Sequence, residues 1–241
     1  MNRPSLAALA AAVLVATGGG AAEPAGIAPT LAPGLDLPAA TVPRTIALDR
    51  KFDDPMPLHL HGDPYDHTIN AANCAEYEKL RSRVDGSDNA LDYDVVKYQG
   101  ANCDALALMR RAFASPRSAL PPGDFLAWRS TDLFPGSLWA AFSDDEIASL
   151  ASPTATLRTA SSKAAFRSVP EHFLELEGRG AGVHLTLMGR GDIDHDGWED
   201  AVVLVEGYAK GGSNRTARVA VLTRRAGETR LREIPVGSLL K

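Results

Sequence analysis

The strongest constraint on the fold is the two-residue periodicity of the last third of the chain. Val183, Leu185 and Leu187 alternate with His184 and Thr186, and Ala217, Val219 and Val221 alternate with Arg218 and Ala220. Successive side chains of a strand point to opposite faces, so this pattern demands strands with one buried face. His172–Glu177 alternates in the same way, and a last weak strand is expected near Leu231–Ile234. Ala201–Val205 is apolar without a break, which suits a central strand. Glycine-rich turns at Gly178–Gly182, Gly207–Asn214 and Gly227 separate these runs. Consecutive strands with short turns predict an antiparallel β-meander over residues 171–241. No segment repeats at a period of roughly 20 to 50 residues, so a propeller or solenoid is not expected.

Residues 58–170 read as mainly helical. Ala71–Val84 places Cys74, Tyr77, Leu80 and Val84 on one helical stripe. Asn102 is a suitable N-cap for a helix over Cys103–Ala114, ended by Ser115-Pro116. Ser143 with Glu146 three residues later forms a capping-box pattern before Ile147 and Leu150, and Pro153 stops that helix. Phe125, Trp128, Leu133, Phe134, Leu138, Trp139 and Phe142 are the expected core of this part. The fold class is therefore α+β, a helical N-terminal half packed with the C-terminal meander.

The first 57 residues differ in character. A basic start at Arg3, an apolar run over Leu6–Ala16 and small residues over Gly18–Ala22 predict a signal peptide spanning residues 1–22. The run of 11 apolar residues is short of the roughly 20 that span a bilayer. No later stretch reaches the roughly 18 apolar residues of a transmembrane helix. Residues 23–57 hold seven prolines and read as an extended or disordered leader, with Thr45–Leu48 as one short strand. Residues 58–241 then form a single domain, and a periplasmic or secreted location follows. In an oxidising compartment, Cys74 and Cys103, the chain's two cysteines, are expected to pair. The formal net charge of −5 argues against a nucleic-acid partner, because phosphate contacts need a basic face.

One segment carries recognisable chemistry. Asp192-Ile193-Asp194-His195-Asp196-Gly197-Trp198-Glu199-Asp200 places aspartates at relative positions 1, 3, 5 and 9 and glycine at 6. Calcium takes six to eight oxygens, and alternate residues of a tightly coiled loop turn their carboxylates inward. The expected ligands are Asp192, Asp194, Asp196 and Asp200, with the backbone carbonyl of Trp198. Four carboxylates packed this closely repel strongly without a cation. Position 12 is Val203 where an EF-hand has its bidentate glutamate, and a strand follows instead of a helix.

The run from Gly191 through Asp200 into Ala201-Val202-Val203 resembles the calcium loops of FG-GAP and VCBS-type repeats, G-D-x-D-x-D-G-x-x-D followed by a strand. That resemblance implies Ca2+ as the ion and the same five residues as its ligands. This chain has one copy, whereas propellers carry several. Cys74 to Tyr77, Asn102 to Leu106 and the final 60 residues also resemble a group of uncharacterised bacterial secreted proteins with a single aspartate-rich loop between strands.

A weaker constellation is His59, His61 and His67, where His-x-His on a strand puts both rings on one side for a second metal. From residue 201 onward eight basic residues face three acidic ones, a candidate surface for an acidic partner. The expected function is that of a secreted or periplasmic calcium-binding protein with a mainly structural ion, a non-enzymatic partner-binding or envelope-associated module whose partner is a protein or polysaccharide. The alternatives are a hydrolase or metal-dependent enzyme with its site between the helical and sheet halves, and an inhibitor-like binder of a secreted enzyme.

Overall fold

The computed structural model describes residues 26–32, 43–64, 67–87, 90–123, 125–169 and 172–241. The expected signal peptide lies outside the described residues. In chain order the elements are β1 (Thr30–Leu31), β2 (Lys51–Leu60), β3 (Ile69–Asn73), α1 (Cys74–Leu80), β4 (Val84–Gly86) and α2 (Ala90–Arg111). Then follow α3 (Asp144–Leu150), α4 (Leu157–Ala160), β5 (Ala165–Val169), β6 (Phe173–Glu177) and β7 (Ala181–Gly191). The chain closes with β8 (Asp200–Ala209), β9 (Arg215–Thr223), β10 (Arg232–Ile234) and α5 (Val236–Leu239). The architecture is mixed α+β.

The main sheet runs in the order β10-β9-β8-β7-β6-β5, with β1 pairing the far end of β7. All of its pairings are antiparallel. Both faces of this sheet are covered, which explains the unbroken apolar run of β8. Val202, Leu204, Val219, Val221 and Met188 pack with Ala105, Leu108 and Met109 of α2. Ala201, Val203, Val205, Ala220 and Leu222 face the other way and pack with Phe125, Phe134, Leu138 and Leu157.

The part before the meander departs from a helical reading. A second sheet, ordered β3-β2-β4, occupies residues expected to be leader and helix. The boundary expected at residue 57 falls inside β2. That strand accommodates Pro55 because its register with β3 breaks between Lys51 and Met56, and pairing with β4 starts at His59, beyond both Pro55 and Pro57. Thr45–Leu48 is not a strand: Pro43–Thr45 is a 3-10 turn, and Ile46 and Leu48 are buried in the core beneath β2.

The helix expected over Ala71–Val84 shrinks to α1. Asn73 caps it by accepting from the Glu76 N–H at 2.9 Å, and the Glu76 carboxylate accepts from the Ala72 N–H at 2.8 Å. Ala71 and Val84 instead sit in strands. Conversely α2 starts near Ala90, and Asn102 lies inside it, with its Nδ2 donating to the Tyr98 carbonyl at 2.9 Å. Asp92, Asp94, Gly100 and Asn102 are poor helix formers, so burial of Val96, Ala101, Ala105 and Leu108 carries this segment. Cys74 and Cys103 form a disulfide. It joins the first turn of α1 to the interior of α2, not two helix N-termini as the earlier helix boundaries would place it. β5 was not apparent from alternation.

Candidate metal centre

The acidic loop connects β7 to β8, the most extensively paired strands of the sheet. The hairpin therefore fixes both ends of the loop. Its course inside is set by the aspartates themselves. Asp192 accepts from the Asp196 N–H at 3.1 Å and the Gly197 N–H at 3.0 Å. Asp194 accepts from the Asp196 N–H at 3.1 Å, and Asp196 from the Trp198 N–H at 2.9 Å. Asp200 reaches back to the N–H groups of Ile193 and Asp194, at 2.9 and 3.4 Å. Such side-chain-to-backbone bonds are what short aspartates do in turns. Gly197, with φ of 82°, and His195, with φ of 65°, make the sharp bend in the left-handed region.

Asp192, Asp194 and Asp200 each offer a carboxylate oxygen, and these oxygens lie within 4.8 Å of one another. Asp192 is buried, and Asp200 is fully so. Burial pushes the Asp200 carboxyl up to about 7, against the opposing influence of Thr223 and of the loop N–H groups. Burial also raises Asp194, with Asp196 and Asp192 adding repulsion. Asp200 Oδ1 makes no well-formed hydrogen bond, and neither does the buried hydroxyl of Thr223, which interacts with the Asp200 carboxyl across the β8–β9 ladder. An orphaned buried carboxylate oxygen beside two further carboxylates fits a hard cation.

Asp196 adjoins Asp194 but lies outside this trio. Its Oδ2 accepts from Arg225 Nε at 3.1 Å and Nη2 at 2.8 Å. Burial works against ionisation, but the Trp198 N–H and Arg225 together hold this carboxyl below its usual range. The spacing expected four convergent carboxylates; three converge, because a basic residue 29 positions later captures the fourth. The Trp198 ring lies under the Arg117 guanidinium, 4.5 Å from its centroid.

The segment that follows α2 braces the loop. Phe113 and Asp192 exchange backbone bonds in both directions at 3.0 Å. The Phe113 ring meets His195 edge-on at 4.5 Å. The Glu199 N–H donates to the Arg117 carbonyl at 2.8 Å, and buried Glu199 accepts from Ser118 Oγ at 2.6 Å. In the sequence this stretch reads only as the end of a helix, with Phe113 in its last turn and Ser115-Pro116 as the stop.

The histidines do not converge. β2 ends at Leu60, so His59 is a buried strand residue while His61 starts a turn and its N–H donates to Arg83. Exposed His67 faces Asp63 at 3.5 Å. Among the described residues, these three are not brought within ligand distance of one another. The C-terminal basic residues are largely engaged too: Arg218 pairs with Glu233, Arg232 with Glu228, Lys210 with Glu177 and Arg225 with Asp196. Arg224 donates to the Ala119 carbonyl at 2.6 Å.

No family model, curated protein or solved structure matches this chain.

Proposed function

We propose that this protein is a secreted or periplasmic calcium-binding module in which the ion has a structural role. The observation that carries the reading is the convergence of Asp192, Asp194 and Asp200 on one point, with a fully buried, unpartnered oxygen on Asp200. Asp192, Asp194 and Asp200 would hold the ion, with the Trp198 carbonyl and Asp196 as the further ligands that the FG-GAP-like spacing implies. A bound cation supplies positive charge to three crowded carboxylates. These residues belong to one loop that also pairs with residues 113–117, so ordering the loop ties α2's exit to the main sheet. That is the work of a structural ion. The disulfide supports an oxidising compartment. No helix among the described residues is long and apolar enough to cross a membrane. A partner-binding, non-enzymatic role completes the reading.

Thermal unfolding in excess calcium and in EGTA tests it. At a hundredfold excess over Kd, binding adds about 2.7 kcal/mol, which raises the melting temperature by roughly 5–10 °C for a chain of this size. Asp200→Asn and Asp192→Asn should each remove the difference. Identical melts of the parent protein in the two buffers would refute the proposal.

A further inference from the structure

A second, chemically distinct region lies on the α2 face of the main sheet, away from the acidic loop. Register places Glu175, His184, Glu206 and Ala217 side by side across β6, β7, β8 and β9. The next row holds Glu177, Gly182, Tyr208 and Arg215. These rows continue the face whose other end, at Val202, Leu204, Val219 and Val221, is sealed by α2. The sheet face thus turns from apolar to polar where the amino-terminal half of α2 passes over it. A cleft of about 520 Å³ opens there, lined by Tyr98 and Gln99 of α2 and by His184, Glu206, Tyr208 and Arg215 of the sheet.

The walls are set in place. A Cβ on Gly182 would lie 2.2 Å from Tyr208 Cζ, so glycine is what lets the phenol ring rest against β7. Tyr208 donates to Glu177 at 3.4 Å, and its ring packs against His184 at 5.2 Å. Glu175 holds the His184 ring through Nε2 at 3.0 Å. Across the cleft, Tyr98 is 46% exposed. Gln99 Oε1 is buried without a hydrogen-bond partner. Burial raises the Glu206 carboxyl, with His184 and Arg215 opposing. Asp94 and Glu206 balance Lys97 and Arg215, so the lining carries no net formal charge.

From this arrangement we infer that the cleft binds a short neutral saccharide. Sugar rings present C–H faces that suit tyrosine π-faces, and vicinal hydroxyls that suit carboxylate, amide and guanidinium groups. Tyr98 and Tyr208 supply the aromatic surfaces. Glu206, Arg215 and the Gln99 amide supply acceptors and donors for hydroxyl pairs. Balanced charge disfavours a phosphate or polyamine, and the polar sheet rows disfavour an acyl chain. The inference uses none of the calcium ligands and stands without the calcium reading.

Isothermal titration of the full chain with cellotetraose, xylotetraose, maltotetraose and tetra-N-acetylchitotetraose tests it. At least one tetrasaccharide should bind. Glu206→Gln and Tyr208→Ala should each weaken that binding about tenfold or more, and Asp192→Asn should leave it unchanged. Gln99→Leu, on the helix side, provides a third variant should Tyr208→Ala disturb the sheet. Circular dichroism and melting curves establish which variants are folded. The inference is overturned if none of the four sugars binds, or if folded cleft variants bind as the parent does. Tighter binding of spermidine or inorganic phosphate than of every sugar would also overturn it.

Discussion

Replacing both cysteines, in the variant Cys74→Ala/Cys103→Ala, should lower the unfolding free energy by about 4 kcal/mol. The disulfide closes a loop with a sequence separation of 29. The chain-entropy relation gives about 3.6 kcal/mol for a loop of that length at 25 °C. Both half-cystines are buried, at 6% and 3% exposure, so the missing sulfur contacts add to the loss. The effect should not be uniform. α1 has seven residues, fewer than an isolated helix needs, and it depends on its tie to α2 and on the Asn73 cap. Guanidinium unfolding followed by circular dichroism measures the global term. Hydrogen exchange of the Cys74–Leu80 amides measures the local one. A loss below about 1 kcal/mol, or unchanged protection of α1, would refute the entropic and positional argument together.

Three other perturbations probe separate parts of the structure. Gly189→Ala would set a Cβ 2.5 Å from the Thr30 carbonyl and 2.7 Å from Met109 Cε, so it should cost about 2 kcal/mol or more; an unchanged melting temperature would contradict the β1–β7–α2 packing. Burial holds the Asp104 carboxyl up to about 6, above its ordinary value of 3.8, with Arg81 opposing and Glu78 adding to the rise. The folded value lies above the unfolded one, so the fold favours the neutral acid, and that contribution is lost as pH rises through about 6. It is at most about 3 kcal/mol. Asp104→Asn should therefore flatten the stability profile between about pH 4 and pH 7, and parallel profiles for the two proteins would exclude this. Arg225→Ala should free Asp196 to join Asp192, Asp194 and Asp200, strengthening calcium binding about tenfold, because carboxylate count tunes such sites; equal or weaker affinity by titration would show that Arg225 is not a competitor.

Legibility differed between the two ends of the chain for a physical reason. β6, β7 and β9 were readable from their own two-residue period and β8 from its unbroken apolar run, with glycine-bearing turns between them. The acidic loop was readable because its aspartates and Gly197 form the turn through bonds within nine residues. By contrast β2 and β4 have no usable alternation, and the prolines of β2 point away from a strand. Their pairing is decided by residues distant in sequence, such as Ile69 for Leu58 and Val84 for Leu60. α2 was half-seen for the same reason. Its amino-terminal half contains Gly100 and several weak helix formers, and it stays helical because Val96 and Ala101 are buried in the core.

Within the candidate metal centre, local spacing specified which carboxylates are available, but not where each of them turns. Asp192, Asp194 and Asp200 converge because the β7–β8 ladder fixes the loop's ends, whereas Asp196 turns to Arg225 on the chain that leaves β9. The cleft beneath α2 had no linear signature at all, since Tyr98, Gln99, His184, Glu206, Tyr208 and Arg215 are brought together by sheet register and helix placement. Sequence alone determined what short-range chemistry can encode: strand period, turn glycines and an acidic loop. Tertiary structure decided which charged groups meet and which remain unpaired, because those outcomes depend on contacts between segments tens of residues apart.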